Sequence, residues 1–227
     1  MPKQFVVYCD FDGTITTQDT GNVIIDDQIG TAERQRLDHC ILDGSKTFPE
    51  ANNEMWAGVK FKTFQEAVDV CKKNNVSHDP GFNRFYAILQ KHNITLQVVS
   101  AGLKPIVEVY LTDYPNVQVF ANNAKITDGN WTIQYVDDSP FGHDKGAPIR
   151  KLKEQYKAQG LSDAERPTIL FIGDGVSDMS AARDADFVFA KKGKDLETYC
   201  KREGIEGILI WENFDFISDW LENWLAN

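Results

Sequence analysis

Short apolar runs, each bounded by polar or turn-forming residues, recur along the chain and predict buried strands. They lie at residues 5–9, 95–100, 117–121, 168–172, 187–190 and 207–210. Runs this short and this continuously apolar are typical of parallel strands that are covered on both faces. Amphipathic stretches with helical spacing lie between them, at 82–92, 103–114, 145–159 and 176–184. Strand followed by helix, repeated, predicts an α/β fold with a Rossmann-like, doubly wound parallel sheet.

The interval between the first two of these strands is much longer than a single crossover helix requires. Helical patterns within it, at residues 22–29, 31–42 and 63–73, predict a small helical domain over the carboxyl ends of the strands. We therefore expect a catalytic core formed by residues 1–16 and 81–227 and a helical cap formed by residues 17–80.

Two further patterns complete the predicted fold. Residues 125–127 and 131–133 flank Asp128-Gly129-Asn130, which predicts a β-hairpin insertion. Aromatic and aliphatic residues recur at helical spacing over 214–225. This period predicts a terminal helix whose aromatic side chains pack on the sheet, and the alternative is a binding stripe.

Composition and charge narrow the classes of function. The chain has 227 residues, of which 42% are hydrophobic and 26% charged, as in ordinary globular proteins. A net charge of −10 argues against nucleic-acid and anionic-membrane partners, which favour clustered Lys and Arg. Four cysteines without paired spacing, and the lack of a signal peptide or long apolar segment, favour a cytoplasmic protein. Nothing in the sequence specifies an oligomeric state.

The sequence Asp10-Phe11-Asp12-Gly13-Thr14 directly follows the first predicted strand and is the first candidate for chemistry. The carboxylates at i and i+2 share one face, and at the carboxyl end of a strand that face opens toward the ligand crevice. A divalent cation or a shared proton would relieve their repulsion, and a bound metal would make one carboxylate available as a nucleophile. The alternative is an acidic turn after an edge strand.

A second acidic segment, Gly173-Asp174-Gly175-Val176-Ser177-Asp178, also follows a predicted strand. The glycines allow a sharp turn, and oxygen ligands here would suit a hard cation such as Mg²⁺. The alternative is a plain turn in which Ser177 caps the next helix.

Two candidates for binding an anion complete the set. Ser100-Ala101-Gly102 follows a strand and precedes a predicted helix, an arrangement that can hold a phosphate, although a serine there can also be a simple helix cap. Lys145 opens another predicted helix, where a lysine opposes the macrodipole unless it serves an anion. The alternative is an ordinary surface lysine.

These candidates occur along the chain as an aspartate pair, a serine, a lysine and a second aspartate pair. In this order they resemble the motifs of the haloacid dehalogenase superfamily of phosphohydrolases, and the resemblance extends from Asp10 to about Asp186. The resemblance implies that Asp10 is the nucleophile and Asp12 the general acid and base. The second aspartate favours phosphoryl transfer, since dehalogenases lack it. The phosphate-binding residues would be Ser100, Ala101, Gly102 and Lys145, and the Mg²⁺ site would comprise Asp10, Asp12, Asp174 and Asp178.

The helical cap is similar to the C1-type cap of the phosphoserine phosphatase-like branch. That branch includes methionine-salvage enolphosphate phosphatases and fungal sugar- or polyol-phosphate phosphatases. Phosphoserine phosphatases place a glutamate and a cap arginine against the substrate, whereas Asp19 occupies the early position here and no arginine lies between Leu37 and Asn83. Arg34 and Arg36 could replace it only if the cap folded differently.

We therefore expect a Mg²⁺-dependent hydrolase of a small phosphorylated metabolite, with a sugar or polyol phosphate favoured. Candidate specificity residues are Asp19, Asn22 and Asn53, each of which could instead be a helix cap or a surface residue, and Ser177, which replaces the family's asparagine. The alternatives are a phosphoserine or enolphosphate phosphatase, a phosphotransferase, and a catalytically idle binding protein on the same fold.

Overall fold

The computed structural model describes residues 4–226, and its centre is a mixed sheet of seven strands. The strands are β1 (Phe5–Cys9), β2 (Thr95–Leu103), β3 (Gln118–Thr127), β4 (Asn130–Gln134), β5 (Thr168–Gly173), β6 (Phe187–Lys191) and β7 (Ile208–Trp211). They lie in the order β4-β3-β2-β1-β5-β6-β7. Only the pair β3 and β4 is antiparallel among these strands. The predicted α/β fold with a doubly wound sheet is confirmed.

The order of the strands explains where a site can form. β1 is buried along its whole length and lies between β2 and β5. The chain first builds the sheet outward from β1 through β2 and β3, and then returns to add β5 on the other side of β1. Ligands bind at such a switch point, beyond the carboxyl ends of the strands. The two acidic segments and Ser100 therefore come together at neighbouring strand ends.

Between residues 4 and 226 the α-helices are α1 (Thr20–Ile29), α2 (Thr31–Leu42), α3 (Phe48–Ala57), α4 (Phe64–Lys73), α5 (Phe82–Lys91), α6 (Lys104–Tyr110), α7 (Ala147–Ala158), α8 (Met179–Asp184), α9 (Asp195–Glu203) and α10 (Phe214–Ala226). Two of these helices were not assigned from the sequence. The unassigned ones are α3 and α9. The start of α3 carries a capping box, in which Thr47 Oγ1 accepts from the Glu50 N–H at 3.3 Å and Glu50 Oε2 accepts from the Thr47 N–H at 2.8 Å.

The predicted hairpin is present, but its first arm is the outer half of β3 rather than a separate insertion. Ala124 pairs with Ile133 and Lys125 with Thr132, while the earlier part of β3 pairs with β2. Asp128 and Gly129 both have positive φ, 52° and 77°, at the connecting turn. Positive φ at both central residues is what a two-residue hairpin turn of type I′ requires.

Helices α1 to α4 share a hydrophobic core with this hairpin. The indole rings of Trp56 and Trp131 stack with centroids 5.0 Å apart, and both side chains are buried. Ala124 and Ile133 of the hairpin and Ile106 of α6 belong to the same cluster. The helices are thus joined to one end of the sheet, and the boundaries at residues 17–80 stay a prediction.

Helix α10 packs its aromatic residues on the sheet, as predicted. The ring centroids of Phe5 and Trp220 lie 6.3 Å apart, and those of Phe5 and Trp224 lie 5.9 Å apart.

All four cysteines are free thiols. Within residues 4–226, no helix combines the length and the apolar character that crossing a membrane would require.

Candidate active site

A buried lysine joins the two acidic segments. Lys145, in the loop before α7, donates from Nζ to Asp10 Oδ1 and to Asp178 Oδ1, both at 2.7 Å. The three residues are almost inaccessible to solvent, with Lys145 1% exposed. A charge this deeply buried requires partners of the opposite sign. Lys145 is therefore not a surface residue but a part of the site.

Carboxylates outnumber this single ammonium group. One carboxylate oxygen from each of Asp10, Asp174 and Asp178 lies within 4.8 Å of the other two. Burial, and then the charge of Asp178, raise the pKa of Asp10 well above its usual value and that of Asp174 to about 6. Burial lowers the pKa of Lys145, but Asp10 and Asp178 together hold it above the usual value. Such clustered oxygens fit a hard divalent cation.

Both oxygens of Asp178 are already engaged. Oδ1 accepts from Lys145, and Oδ2 accepts from the backbone N–H groups of Asp174 and Gly175, each at 2.9 Å. These bonds close the turn after β5 and fix the backbone that carries Asp174. Asp178 therefore supports the turn and the lysine, a role that the sequence did not indicate.

Asp12 is held by the first helical residue after the motif. Its Oδ1 accepts from the N–H of Thr20 at 2.8 Å and from Thr20 Oγ1 at 2.7 Å, and its Oδ2 lies 3.5 Å from Ser100 Oγ. Burial, and then the negative charge of Asp19, raise the pKa of Asp12 to about 7. Since β1 is a central strand, the alternative of an acidic turn on an edge strand is wrong.

The segment Ser100-Ala101-Gly102 is a bulge within β2 rather than a turn that follows it. The pairing with β3 is irregular between Ser100 and Leu103, and α6 begins only at Lys104. Ser100 Oγ accepts from the Gly102 N–H at 2.9 Å. A Cβ on Gly102 would lie 2.4 Å from Asp12 Oδ2, so the close approach of the bulge to Asp12 requires glycine.

Two buried side chains that the sequence analysis missed hold this bulge. His143 donates from Nδ1 to the Ser100 carbonyl at 2.8 Å. Asn122 donates from Nδ2 to the Ala101 carbonyl at 2.8 Å and accepts at Oδ1 from the Val136 N–H at 2.9 Å. Both residues are distant in sequence from the carbonyl groups that they bind, and no local sequence pattern predicts these contacts.

Lys191, at the end of β6, was also missed. Its Nζ donates to the Gly13 carbonyl at 2.6 Å and lies 4.9 Å from the centroid of the Trp211 ring. Gly13 has a φ of 76°, and a Cβ there would lie 2.6 Å from Asp174 Oδ2. Lys191 thus stabilises the turn in which the two acidic segments come into contact. In the sequence, its position at the end of a predicted strand was the only indication of this role.

A cavity of about 670 Å³ extends from these residues to the helices α1, α2 and α3. The candidate residues that line it are Asp10, Asp12, Asp19, Asn22, Ser100, Ala101, Gly102, Lys145, Asp174 and Ser177. Asp19 also caps α1, where its Oδ1 accepts from the Asn22 N–H at 2.7 Å. Asn53 is not brought to the cavity, since it is exposed and its Oδ1 accepts from the Tyr135 hydroxyl. Its neighbour Asn52 lines the wall instead.

Comparison with known sequences shows which proteins this chain resembles. The family model for haloacid dehalogenase-like hydrolases matches residues 7–183. The chain is 39% identical to Pdp3-interacting factor 1 of Schizosaccharomyces pombe, over 89% of each chain. It is 34% identical to the polyol phosphate phosphatase PYP1 of Saccharomyces cerevisiae, over 94% of this chain and 90% of that one. It is 27% identical to the 2-hydroxy-3-keto-5-methylthiopentenyl-1-phosphate phosphatase of Exiguobacterium sibiricum, over 95% of both.

Comparison with solved structures supports the fold. A phospho-aspartyl intermediate analogue of phosphoserine phosphatase superposes with a TM-score of 0.71 at 17% identity, covering 96% of this chain and 99% of that one. The cytidine-bound cytosolic 5′-nucleotidase IIIB gives a TM-score of 0.63 at 19% identity, over 99% of this chain and 86% of that one. Because the family model covers most of the chain and the sequence relatives include named phosphatases, the resemblance found in the sequence is confirmed: the chain belongs to the haloacid dehalogenase-like hydrolase family and is one of its phosphatases.

Proposed function

We propose that the chain hydrolyses a small phosphorylated metabolite, a sugar or polyol phosphate, with Mg²⁺ and through an aspartyl-phosphate on Asp10. The observation that carries the proposal is the pairing of Lys145 with Asp10 at 2.7 Å in a cavity that Asp12 also lines. A binding module on the same fold has no need for a buried nucleophile beside a second acid. The catalytically idle alternative is therefore the weaker one.

Asp10 is proposed as the nucleophile. The Lys145 ammonium binds Oδ1, and Oδ2 accepts no hydrogen bond from any described residue. In the first step Oδ2 attacks phosphorus and the ester bond between phosphorus and the leaving oxygen breaks. Splitting the displacement in this way replaces one difficult step by two easier ones.

Asp12 is proposed to move the proton in both steps. In its protonated form it donates to the leaving oxygen, and the resulting carboxylate then accepts a proton from the water that cleaves the acyl-phosphate. A pKa of about 7 suits a group that must be both acid and base near neutral pH. The Thr20 hydrogen bonds keep the carboxylate aimed at the bulge of β2.

The phosphoryl oxygens are proposed to be held by Ser100, the backbone of Ala101 and Gly102, and Lys145. His143 and Asn122 act behind them by fixing the carbonyls of the bulge. An ammonium group and fixed dipoles in this position oppose the charge of the phosphate. They also reduce the repulsion between Asp10 and its anionic substrate.

We propose that Asp10, the backbone carbonyl of Asp12, and Asp174 would hold Mg²⁺. The cluster of carboxylate oxygens from Asp10, Asp174 and Asp178 fits such a cation, and Asp174 is not bonded by Lys145. When bound, Mg²⁺ supplies charge neutralisation and orients the phosphoryl group. Since both oxygens of Asp178 are engaged by Lys145 and by backbone N–H groups, its contribution is proposed to be indirect.

Helices α1 to α4 are proposed to form the cap that selects the leaving group, within residues 17–80. A phosphoserine carboxylate would need a guanidinium partner in this region. Arg34 is bound by Asp26 and Asp38, and Arg36 by Glu33 and Glu54. Neither arginine lines the cavity. This supports a leaving group without a carboxylate, in keeping with the similarity to a polyol phosphate phosphatase.

We propose the cytoplasm as the location of the protein, and its four free thiols are consistent with that compartment.

The test is a screen of the purified protein with Mg²⁺ against an aryl phosphate and a panel of phosphorylated metabolites. The panel includes polyol and sugar phosphates, phosphoserine and an enolphosphate. We expect turnover of polyol or sugar phosphates and its loss in Asp10→Asn. Wild-type rates in Asp10→Asn would refute the nucleophile, and a strong preference for phosphoserine would refute the substrate class. Product formation only with an added alcohol acceptor would indicate a phosphotransferase.

A further inference from the structure

The two ends of the cavity differ in charge: lysines and aspartates both line the sheet end, whereas the charged residues described at the helical end are aspartates. The lysines that line it are Lys145, Lys191 and Lys194, all from the sheet end. Among the described residues of α1, α2 and α3 that line it, the charged ones are acidic: Asp38 of α2 lies there, and Asp19 precedes α1. A substrate that spans the cavity therefore meets lysines as well as aspartates around its phosphate, and aspartates without a lining lysine around the rest of the molecule.

Asp38 is fixed in this wall by an ion-pair network. Arg34 donates from its NH1 group to Asp38 Oδ2 at 2.8 Å, while its Nε and NH2 groups bind the two oxygens of Asp26 at 2.6 and 3.2 Å. Because Asp26 occupies the other edge of the guanidinium group, Arg34 orients Asp38 while its own side chain stays out of the cavity lining. Oδ1 of Asp38 accepts no hydrogen bond from any described residue.

Apart from Asp19, the nearby residues that line this wall are neutral. Asn22 and Asn52 line the same end, and Met55 and Trp56 add apolar surface to it. The Asn52 amide donates to the Tyr135 hydroxyl at 3.1 Å, which keeps its carbonyl oxygen available. Unengaged acceptors beside apolar side chains match a chain of carbon atoms that bears hydroxyl groups.

We propose that Asp38 determines specificity by accepting a hydrogen bond from a hydroxyl group of the leaving group and by repelling leaving groups that carry a carboxylate. This inference rests on the proposed function and names the residue that sets its substrate class. Repulsion of this kind rejects competing substrates even where their shape would fit. Asp38 acts on the leaving group and takes no part in the transfer of the phosphoryl group.

The test compares two esters that differ in one group, glycerol 3-phosphate and 3-phosphoglycerate. We expect the wild-type enzyme to favour the first in kcat/KM, mainly through KM. Asp38→Asn should reduce this preference by about fivefold, as expected for the loss of one partly exposed charge across a cavity. The matched control is Asp27→Asn, which removes the same charge from an exposed position of α1 outside the cavity and should leave the preference unchanged.

A wild-type measurement makes the test independent of how the variant folds. Both esters are used as competitors of aryl phosphate hydrolysis, and glycerol 3-phosphate should inhibit at the lower concentration. Equal inhibition, or an unchanged preference in a folded Asp38→Asn protein, would overturn the role of Asp38. Absence of turnover for every ester, the aryl phosphate included, would instead overturn the proposed function and the inference with it.

Discussion

At the scale of single residues, glycines set how closely the catalytic groups can approach. Gly102→Ala would place a Cβ 2.4 Å from Asp12 Oδ2 and 3.1 Å from Ser100 Oγ. We expect kcat/KM for an aryl phosphate to fall by roughly a hundredfold, because a displacement of about 1 Å in a catalytic group costs that much. Steady-state kinetics, together with a circular dichroism spectrum that shows an intact fold, provide the measurement.

Gly160→Ala is the matched control. Gly160 has a φ of 80° with no atom near the added Cβ, so its replacement introduces backbone strain far from any site residue. We expect a lower melting temperature and an unchanged kcat/KM. Equal activity of the Gly102 variant and this control would show that Gly102 does not constrain Asp12.

An ion pair between buried Arg166 and partly exposed Asp186, at the opposite end of the sheet, contributes to stability. Arg166 binds Asp186 through two parallel hydrogen bonds of 2.6 and 2.7 Å, and Asp186 Oδ2 also accepts from the Ile169 N–H. Asp186→Asn should lower the free energy of unfolding by about 3 kcal/mol at neutral pH, since it leaves a buried guanidinium without its main partner. Asp163 supplies the control, because it binds the same arginine but is 93% exposed. Asp163→Asn should change the free energy of unfolding by less than about 0.5 kcal/mol.

The stabilisation by this pair depends on pH. Burial alone would raise the pKa of Asp186, but the Arg166 charge and the Ile169 N–H outweigh it and lower that pKa below its ordinary value. Stability gained from a lowered pKa is complete above the unfolded value of about 3.9 and is lost as pH falls through the folded value. Urea unfolding of wild type and Asp186→Asn should therefore converge in acid. A difference that grows as pH falls would contradict this account.

Residues that follow a strand directly could be identified from the sequence, and residues that act through distant contacts could not. Asp10, Ser100 and Asp174 each lie at the end of an apolar run, so the pattern of the chain marks them. His143 and Asn122 act on the bulge of β2 from segments 43 and 21 residues away in sequence. Periodicity carries no information on such partners.

At the scale of elements, the hairpin of β3 and β4 connects the sheet to the helical layer. Trp131 stacks on Trp56 and donates from its indole N–H to the Phe61 carbonyl at 2.9 Å. Tyr135 follows the hairpin, and its hydroxyl contacts the Pro49 carbonyl and the Asn52 amide at 3.2 and 3.1 Å. The position of α3, and with it one wall of the cavity, therefore depends on an extension of the sheet.

Tyr135→Phe tests this dependence. Loss of the hydroxyl frees the Asn52 side chain, and we expect KM for the preferred substrate to rise by about fivefold, the equivalent of one hydrogen bond, with kcat little changed. Tyr199→Phe is the control, because the Tyr199 hydroxyl is buried without a partner among the described residues. Equal KM values for the two variants would show that the hairpin does not act on the substrate.

The elements differ in how far the sequence specifies them. The apolar runs gave β1, β5 and β6 almost to the residue, since a strand buried on both faces is continuously apolar. Helix α3 went unassigned although its capping box, Thr47 and Glu50, is legible in the sequence. Its buried residues Ala51, Met55 and Trp56 keep the helical spacing, but they are few within a segment that also holds a proline and two adjacent asparagines, so the pattern is weak.

At the scale of the whole molecule, acidic groups crowd one end of the sheet, and a bound cation should stabilise the fold. We expect millimolar Mg²⁺ to raise the melting temperature, because a ligand that binds only the folded state shifts the unfolding equilibrium. The rise should be lost in Asp174→Asn and retained in the surface variant Asp69→Asn. An equal rise in all three proteins, measured by differential scanning fluorimetry, would place the effect outside the cluster of Asp10, Asp174 and Asp178.

The central claim is that Asp10 carries the phosphoryl group during turnover. The most direct measurement mixes the enzyme briefly with substrate and Mg²⁺, reduces any acyl-phosphate with borohydride, and locates the reduced residue by mass spectrometry of the peptides. We expect conversion of Asp10 alone to homoserine, and only when substrate is present. Labelling at Asp12 or Asp174, or turnover with no labelled aspartate, would contradict it.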